Sequence, residues 1–158
     1  MKALVLYYSQ YGNTARIAQA IHAALPQRPR IHVAPMSETR PFDLVELSWL
    51  ILGVPTHYRD VPKTVRQYLR RIPRHGLRGV RVAVFDTRYR MTRLLSGSAA
   101  RKLVRHVRRL GGTLVAPPES FFVLDREGPL AEGEVERAAA WGRIVAAKLG
   151  AAGVRTPA

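Results

Sequence analysis

Residues 3–21 read ALVLYYSQYGNTARIAQAI, and three patterns meet in them. Ala3 to Tyr8 is an unbroken apolar run ending in turn chemistry, the mark of a strand buried on both faces. From Thr14 the period changes. Ile17, Ala20, Ile21, Ala24 and Leu25 recur at helical spacing until Pro26 stops them. Between the two, Ser9 to Thr14 is a hydroxyl-bearing loop with one glycine and no lysine or arginine. Strand, polar loop and helix in this order make one unit of a parallel α/β sheet.

The unit recurs. Ser48 to Val54 (SWLILGV) predicts a strand, PTHYRD a loop, and Val65, Tyr68, Leu69 and Ile72 a helix begun at Pro62, a favourable first-turn proline. Val80 to Asp86 (VRVAVFD) predicts another strand. The long loop TRYRMTRLLSG then leads to a helix with Ala100, Leu103, Val104 and Val107 inward and Gly111–Gly112 as its stop. Shorter strands are expected at Arg30 to Ala34 and at Thr113 to Ala116, the latter resuming at Ser120 to Leu124 beyond Pro117–Pro118. Val135, Ala138, Gly142, Val145 and Leu149 mark a last helix, while residues 36–47 are too short and proline-broken for a full one. With no linker or repeat in view, residues 1–150 are expected to form one domain and 151–158 a frayed tail. Trp49 and Trp141 are assigned to packing, and Phe121 and Phe122 to a sheet edge or a partner surface.

Composition narrows the chemistry. The 158 residues include no cysteine, which excludes disulfides, thiolate zinc sites and Cys-ligated iron–sulfur clusters. The five histidines are scattered and none pairs with a carboxylate cluster, so no metal site is expected. No G-x-S-x-G elbow is present, and Ser96-Gly97-Ser98 reads as a helix start. No apolar run approaches a membrane span and the N-terminal run is too short for a signal-peptide core, so a cytoplasmic protein is expected. Charge is uneven: residues 59–109 hold sixteen Lys and Arg against Asp60 and Asp86, which accounts for +14 of the net +15. Such a block marks either an anionic partner or a solvated face.

Open parallel sheets bind ligands beyond the carboxyl ends of their strands. The loops after the first, third and fourth strands are therefore the candidate site. In the first, Ser9 and Thr14 supply hydroxyls, Gly12 permits positive φ, and Asn13 or Thr14 caps a helix whose positive end faces inward. That suits a phosphate held by amides and hydroxyls, and it equally suits a plain helix cap. In the second, Pro55-Thr56-His57-Tyr58 sets a rigid turn, a hydroxyl and two rings opposite the first. A planar, phosphorylated ligand accounts for both loops together.

At these residues the chain resembles the flavodoxin family. YYSQYGNTARIAQAI is similar to its phosphate-loop signature and LILGVPTHYRDVPKTVRQYL to its second flavin loop and following helix. The resemblance implies a doubly wound, five-stranded parallel sheet in the order 2-1-3-4-5, with helices on both faces and flavin mononucleotide (FMN) as cofactor. It implies that Ser9, Tyr11, Gly12, Asn13 and Thr14 hold the phosphate, with Gln10 contributing its backbone. Pro55, Thr56, His57 and Tyr58 would line one side of the isoalloxazine, and Asp86, Thr87, Arg88 and Tyr89 would add backbone and ring contacts from the third loop.

Two departures stand out. Tyr11 replaces a small hydroxyl residue and, with GVPTHY, looks more like the Trp-repressor-binding-protein type of NAD(P)H:quinone oxidoreductase. Arg88, Arg90 and Arg93 make the third loop basic where flavodoxins tend to be acidic. The expected function is an FMN redox protein that carries electrons to a partner with an acidic docking surface, or a small flavin oxidoreductase whose chemistry resides in the flavin rather than in a catalytic side chain. An NAD(P)H:quinone oxidoreductase is the first alternative. A flavin-free basic module that binds nucleic acid or an acidic partner is the second. Monomer and homo-oligomer both remain open.

Overall fold

The structure is a computed structural model that describes residues 2–26, 30–90 and 98–151. Strands β1 (Ala3–Tyr7), β2 (Ile31–Pro35), β3 (Trp49–Pro55) and β4 (Arg81–Tyr89) run parallel, and the sheet order is β2-β1-β3-β4-β5. The fifth position is split. β5 (Thr113–Leu114) pairs with Arg81 and Val82, and β6 (Glu119–Val123) pairs with Phe85 to Tyr89 on the same edge of β4. Pro117 and Pro118 separate the two; they lack the N–H groups that a ladder uses. The expected resumption of the fifth strand beyond these prolines is therefore present as a sixth strand.

Helix α1 (Asn13–Ala24) follows β1, α2 (Lys63–Arg70) follows β3, α3 (Ala99–Arg109) follows β4, and α4 (Glu134–Ala151) ends the described chain. Pro62 stands at the N-cap of α2 rather than in its first turn, and Ile72 lies past its end. Residues 36–38 and 41–46 form two short 3₁₀ turns, as a proline-broken segment should. Strand pleating sorts the core into two layers. Leu4, Leu6, Leu50, Leu52, Val82 and Val84 pack under α2 and α3, while Val5, Ile51, Ala83 and Phe85 pack under α1 and α4. This division is what right-handed crossovers in such a sheet require.

One correction concerns Phe121. It is fully buried, with its ring centroid 5.8 Å from Phe85 and 6.0 Å from Trp141, both edge-on. Phe122, one pleat over, is only half-buried, and the guanidinium carbons of Arg88 and Arg137 lie 5.1 and 5.5 Å from its ring centroid. Trp49 and Trp141 are core residues as expected. Glu134 fastens α4 to the sheet edge: it accepts the Phe122 N–H at 2.7 Å and pairs with Arg137 at 2.6 Å. Burial alone would raise its carboxyl. The Arg137 and Phe122 hydrogen bonds outweigh that and hold it below the ordinary value.

No helix among the described residues is long and apolar enough to cross a membrane. Of the sequence assignments, Arg93, Ser96, Gly97 and the tail beyond Ala151 lie outside the described residues.

Candidate functional site

β1, β3 and β4 end at the same rim of the sheet, and a cavity of about 590 Å³ opens between their following segments. Its volume falls in the ordinary range for small-molecule sites. Ser9, Gln10, Tyr11, Asn13 and Thr14 line it from the first loop, and Pro55, Thr56, His57 and Tyr58 from the second. Thr87, Arg88 and Tyr89 form the third wall. Thus twelve of the fourteen residues assigned from sequence line one space. Gly12 and Asp86 do not.

Gly12 shapes the first loop from outside the wall. Its φ of 92° puts it in the left-handed region at the N-cap of α1, a conformation with little cost for glycine. Ser9 accepts the N–H groups of Gly12 (3.1 Å) and Ala15 (3.3 Å) on its hydroxyl oxygen and keeps its own proton to donate. Asn13 is committed elsewhere: its amide donates to the Glu127 carbonyl at 3.1 Å. The buried Thr14 hydroxyl lies 2.8 Å from that of Thr87, so one donates to the other and the acceptor retains a proton for a ligand. The backbone N–H groups of Asn13 and Thr14, in the first turn of α1, have no intrahelical acceptor. This donor set suits an anion.

The second loop is a tight turn. His57 and Asp60 exchange backbone hydrogen bonds at 2.9 and 2.7 Å, and Tyr58 (φ 45°) and Arg59 (φ 64°) both occupy the left-handed region between them. That is the geometry of a type I′ turn made without glycine or asparagine, at about 1–3 kcal/mol of backbone strain per residue. Its anchors explain why it holds. Asp60 accepts the Val61 N–H at 2.7 Å and pairs with Arg66 (2.9 Å) and Lys102 (3.2 Å), while Thr56 is tied from below. The Tyr58 ring, 94% exposed, is thereby held out beside the cavity. Burial, and then the Arg126 guanidinium, push the His57 imidazole below its ordinary value.

The third wall requires a correction. β4 continues to Tyr89, so Thr87 and Arg88 are buried strand residues rather than loop residues. The Asp86 side chain does not line the cavity but turns to the first turn of α3. It is fully buried and accepts from the Thr56 hydroxyl (2.9 Å), the Ser98 hydroxyl (2.9 Å) and the Ala100 N–H (3.1 Å) on one oxygen. Thr56 in turn accepts the Ala99 N–H at 2.9 Å. Asp86 therefore joins the second loop to the first turn of α3, where a carboxylate also complements the helix dipole. Arg88 donates to the Ser120 hydroxyl at 3.0 Å while lining the cavity.

Arg59, Val123 and Arg126 also line the space, and none was assigned from sequence. Arg59 adjoins the PTHY stretch, and Val123 ends a strand whose carboxyl end reaches the same rim. With Arg88 they give three guanidinium-bearing residues and no carboxylate on the lining.

Residues 4–110 match the flavodoxin domain family. The chain belongs to the flavodoxin family. As a flavodoxin domain it is an FMN-binding, electron-transferring unit. The cavity fits that group: uncommitted hydroxyl protons and helix N–H groups face one end, and the rings of Tyr11, His57, Tyr58 and Tyr89 stand on the walls. It is 34% identical over 90 residues to the type A flavoprotein FprA of Rhodobacter capsulatus; the match covers 53% of this chain, which spans about a fifth (21%) of that relative's length. Solved structures of similar fold include an archaeal flavodoxin (20% identity, TM-score 0.78, 95% of this chain and 99% of that one). Oxidised flavodoxin 2 of Bacillus cereus is comparable (21% identity, TM-score 0.77, 96% and 99%).

Proposed function

We propose that this flavodoxin-family chain is a cytoplasmic electron carrier whose FMN exchanges electrons with an acidic partner protein at the cavity rim. The observation that carries the reading is the cavity itself, with a phosphate-type donor set at one end, aromatic walls at the other, and three arginines among its lining residues. Bound FMN supplies one- and two-electron redox chemistry; the protein sets its position, its potential and its access. Ser9, Gln10, Tyr11, Gly12, Asn13 and Thr14 hold the phosphate end: Ser9 and the Thr14–Thr87 pair by hydroxyl donation, Asn13 and Thr14 by backbone N–H, and Gly12 by fixing the turn. Pro55, Thr56, His57 and Tyr58 flank the ring from one side and Thr87, Arg88 and Tyr89 from the other. Asp86 acts through Thr56.

Partner chemistry follows from the rim. Tyr11, Tyr58 and Tyr89 are exposed there beside Arg59 and Arg126, and aromatic and arginine side chains are the types enriched in protein interfaces. The positive sign calls for an acidic surface on the other protein.

The same charge tunes the cofactor, since reduction adds negative charge to a flavin. A cation about 8 Å away at an effective dielectric of about 40 stabilises that charge by about 1 kcal/mol, or roughly 40 mV per electron. The bound FMN should therefore be less reducing than in acidic flavodoxins, and Arg126→Glu should lower its midpoint by tens of millivolts in a redox titration. Reduction only at very low potential, unmoved by Arg126→Glu, contradicts this. A mixture of the protein, FMN, NADPH and a benzoquinone should turn over slowly unless a flavin reductase is added. Fast sustained turnover replaces the carrier reading with an NAD(P)H:quinone oxidoreductase.

A further inference from the structure

The strongest charge on the molecule lies away from the cavity. Between residues 61 and 118 the only acid is Asp86, which is fully buried. Along α2, α3 and the turn after α2, Arg70, Arg74, Arg101, Arg105, Arg108 and Arg109 are exposed, and none forms an ion pair among the described residues. The two helices lie side by side, because Asp60 is bridged by Arg66 of α2 and Lys102 of α3. His106 between them is pushed down first by burial and then by Arg109, with Arg66 and Arg70 acting in the same sense, so cations from both helices converge on one groove.

Keeping this face costs free energy. Arg66 and Arg70, Arg101 and Arg105, and Arg105 and Arg109 are like charges at i,i+4, about 6 Å apart along the axis, and each pair is destabilising by a few tenths of a kcal/mol. Its composition excludes two occupants. Exposed large apolar residues sit at the cavity rim, on the 3₁₀ turn at Phe42 and Val45, and on α4 at Ile144; none lies on α2 or α3. A protein hot spot sets its arginines among aromatic or apolar neighbours that exclude water, and this face has none exposed; single-stranded nucleic acid needs rings on which bases stack. What a two-railed arginine surface without anchors fits is a regular row of phosphates.

We propose that the α2–α3 face binds the phosphate backbone of duplex DNA, independently of base sequence. The test is fluorescence anisotropy of the full chain with a labelled duplex of about 20 base pairs. A log K falling with log salt at a slope of about −5 is expected, which is a loss on the order of 10³-fold between about 50 and 200 mM salt. A scrambled duplex should bind equally. The triple substitution Arg70→Glu, Arg105→Glu, Arg109→Glu should shrink the slope by about 3 and leave the thermal midpoint near that of the parent. The same three positions changed to Gln should act likewise, and Arg143→Glu on the opposite helix layer should change little. Absence of binding at the lowest salt, or parental binding by both triple variants, overturns the proposal. So does tighter binding to poly-glutamate or to anionic lipid vesicles at equal charge, which would give the face to an acidic protein or a membrane.

Discussion

Asp86→Ala is expected to cost about 3 kcal/mol of folding stability or more, because it leaves three donors without their acceptor at about 1–3 kcal/mol each, with less than full additivity. The hydroxyls of Thr56 and Ser98 and the Ala100 N–H all converge on one oxygen of a carboxylate that is itself fully buried. The loss reaches the cavity without any contact to it. Thr56 anchors one end of the strained Tyr58–Arg59 turn, and a turn that is costly by itself relaxes when an anchor goes. In the protein still folded at low temperature, FMN affinity should therefore fall about tenfold, or about 1.4 kcal/mol. Asp86→Asn keeps the shape and should cost less on both counts. Urea unfolding and FMN titration of the two variants measure this. A cost below 1 kcal/mol for the alanine variant with unchanged FMN affinity would show that Asp86 does not position the loop.

The second large effect lies in the core beneath the site. A Cβ placed on Gly53 would stand 2.0 Å from Cζ of Phe85, well inside contact distance. Phe85 has nowhere to go: it is fully buried and edge-on to both Phe121 and Trp141. Gly53→Val should therefore lose at least about 3 kcal/mol, at the upper end of overpacking costs, which for a chain of this size lowers the thermal midpoint by about 6–12 °C. Gly53→Ala should lose less, and Phe85→Leu should restore part of the loss in the double variant although it is destabilising alone. Additive losses, or a Gly53→Ala variant as stable as the parent, would mean that the ring yields more readily than its packing indicates.

Much of the fold could be read because its strands and helices use distinct periods. The run from Ala3 to Tyr8 and the helical spacing from Thr14 to Leu25 are unambiguous, and the rule that ligands sit beyond strand carboxyl ends brought three distant loops together. The misses share a cause. Sequence shows that Asp86 closes an apolar strand but not that Thr56, Ser98 and Ala100 gather on its carboxylate, so it was assigned backbone and ring contacts while its side chain faces α3. Phe121 and Phe122 are adjacent residues on opposite faces, one in the core and one among arginines. The left-handed pair Tyr58 and Arg59 carries no glycine or asparagine to announce a type I′ turn; tertiary anchors at Thr56 and Asp60 impose it. Arg126 reaches the cavity from a segment set beside the first loop by the Asn13–Glu127 hydrogen bond, a contact across 114 residues that no local pattern encodes.

The central claim is that these loops form an FMN site, and titration of the purified full chain with FMN, followed by quenching of flavin fluorescence, tests it most directly. Saturable one-to-one quenching with micromolar or tighter affinity is predicted, weakened by a Ser9→Ala, Thr14→Val double substitution. No quenching at any FMN concentration, in protein shown to be folded, would contradict the account.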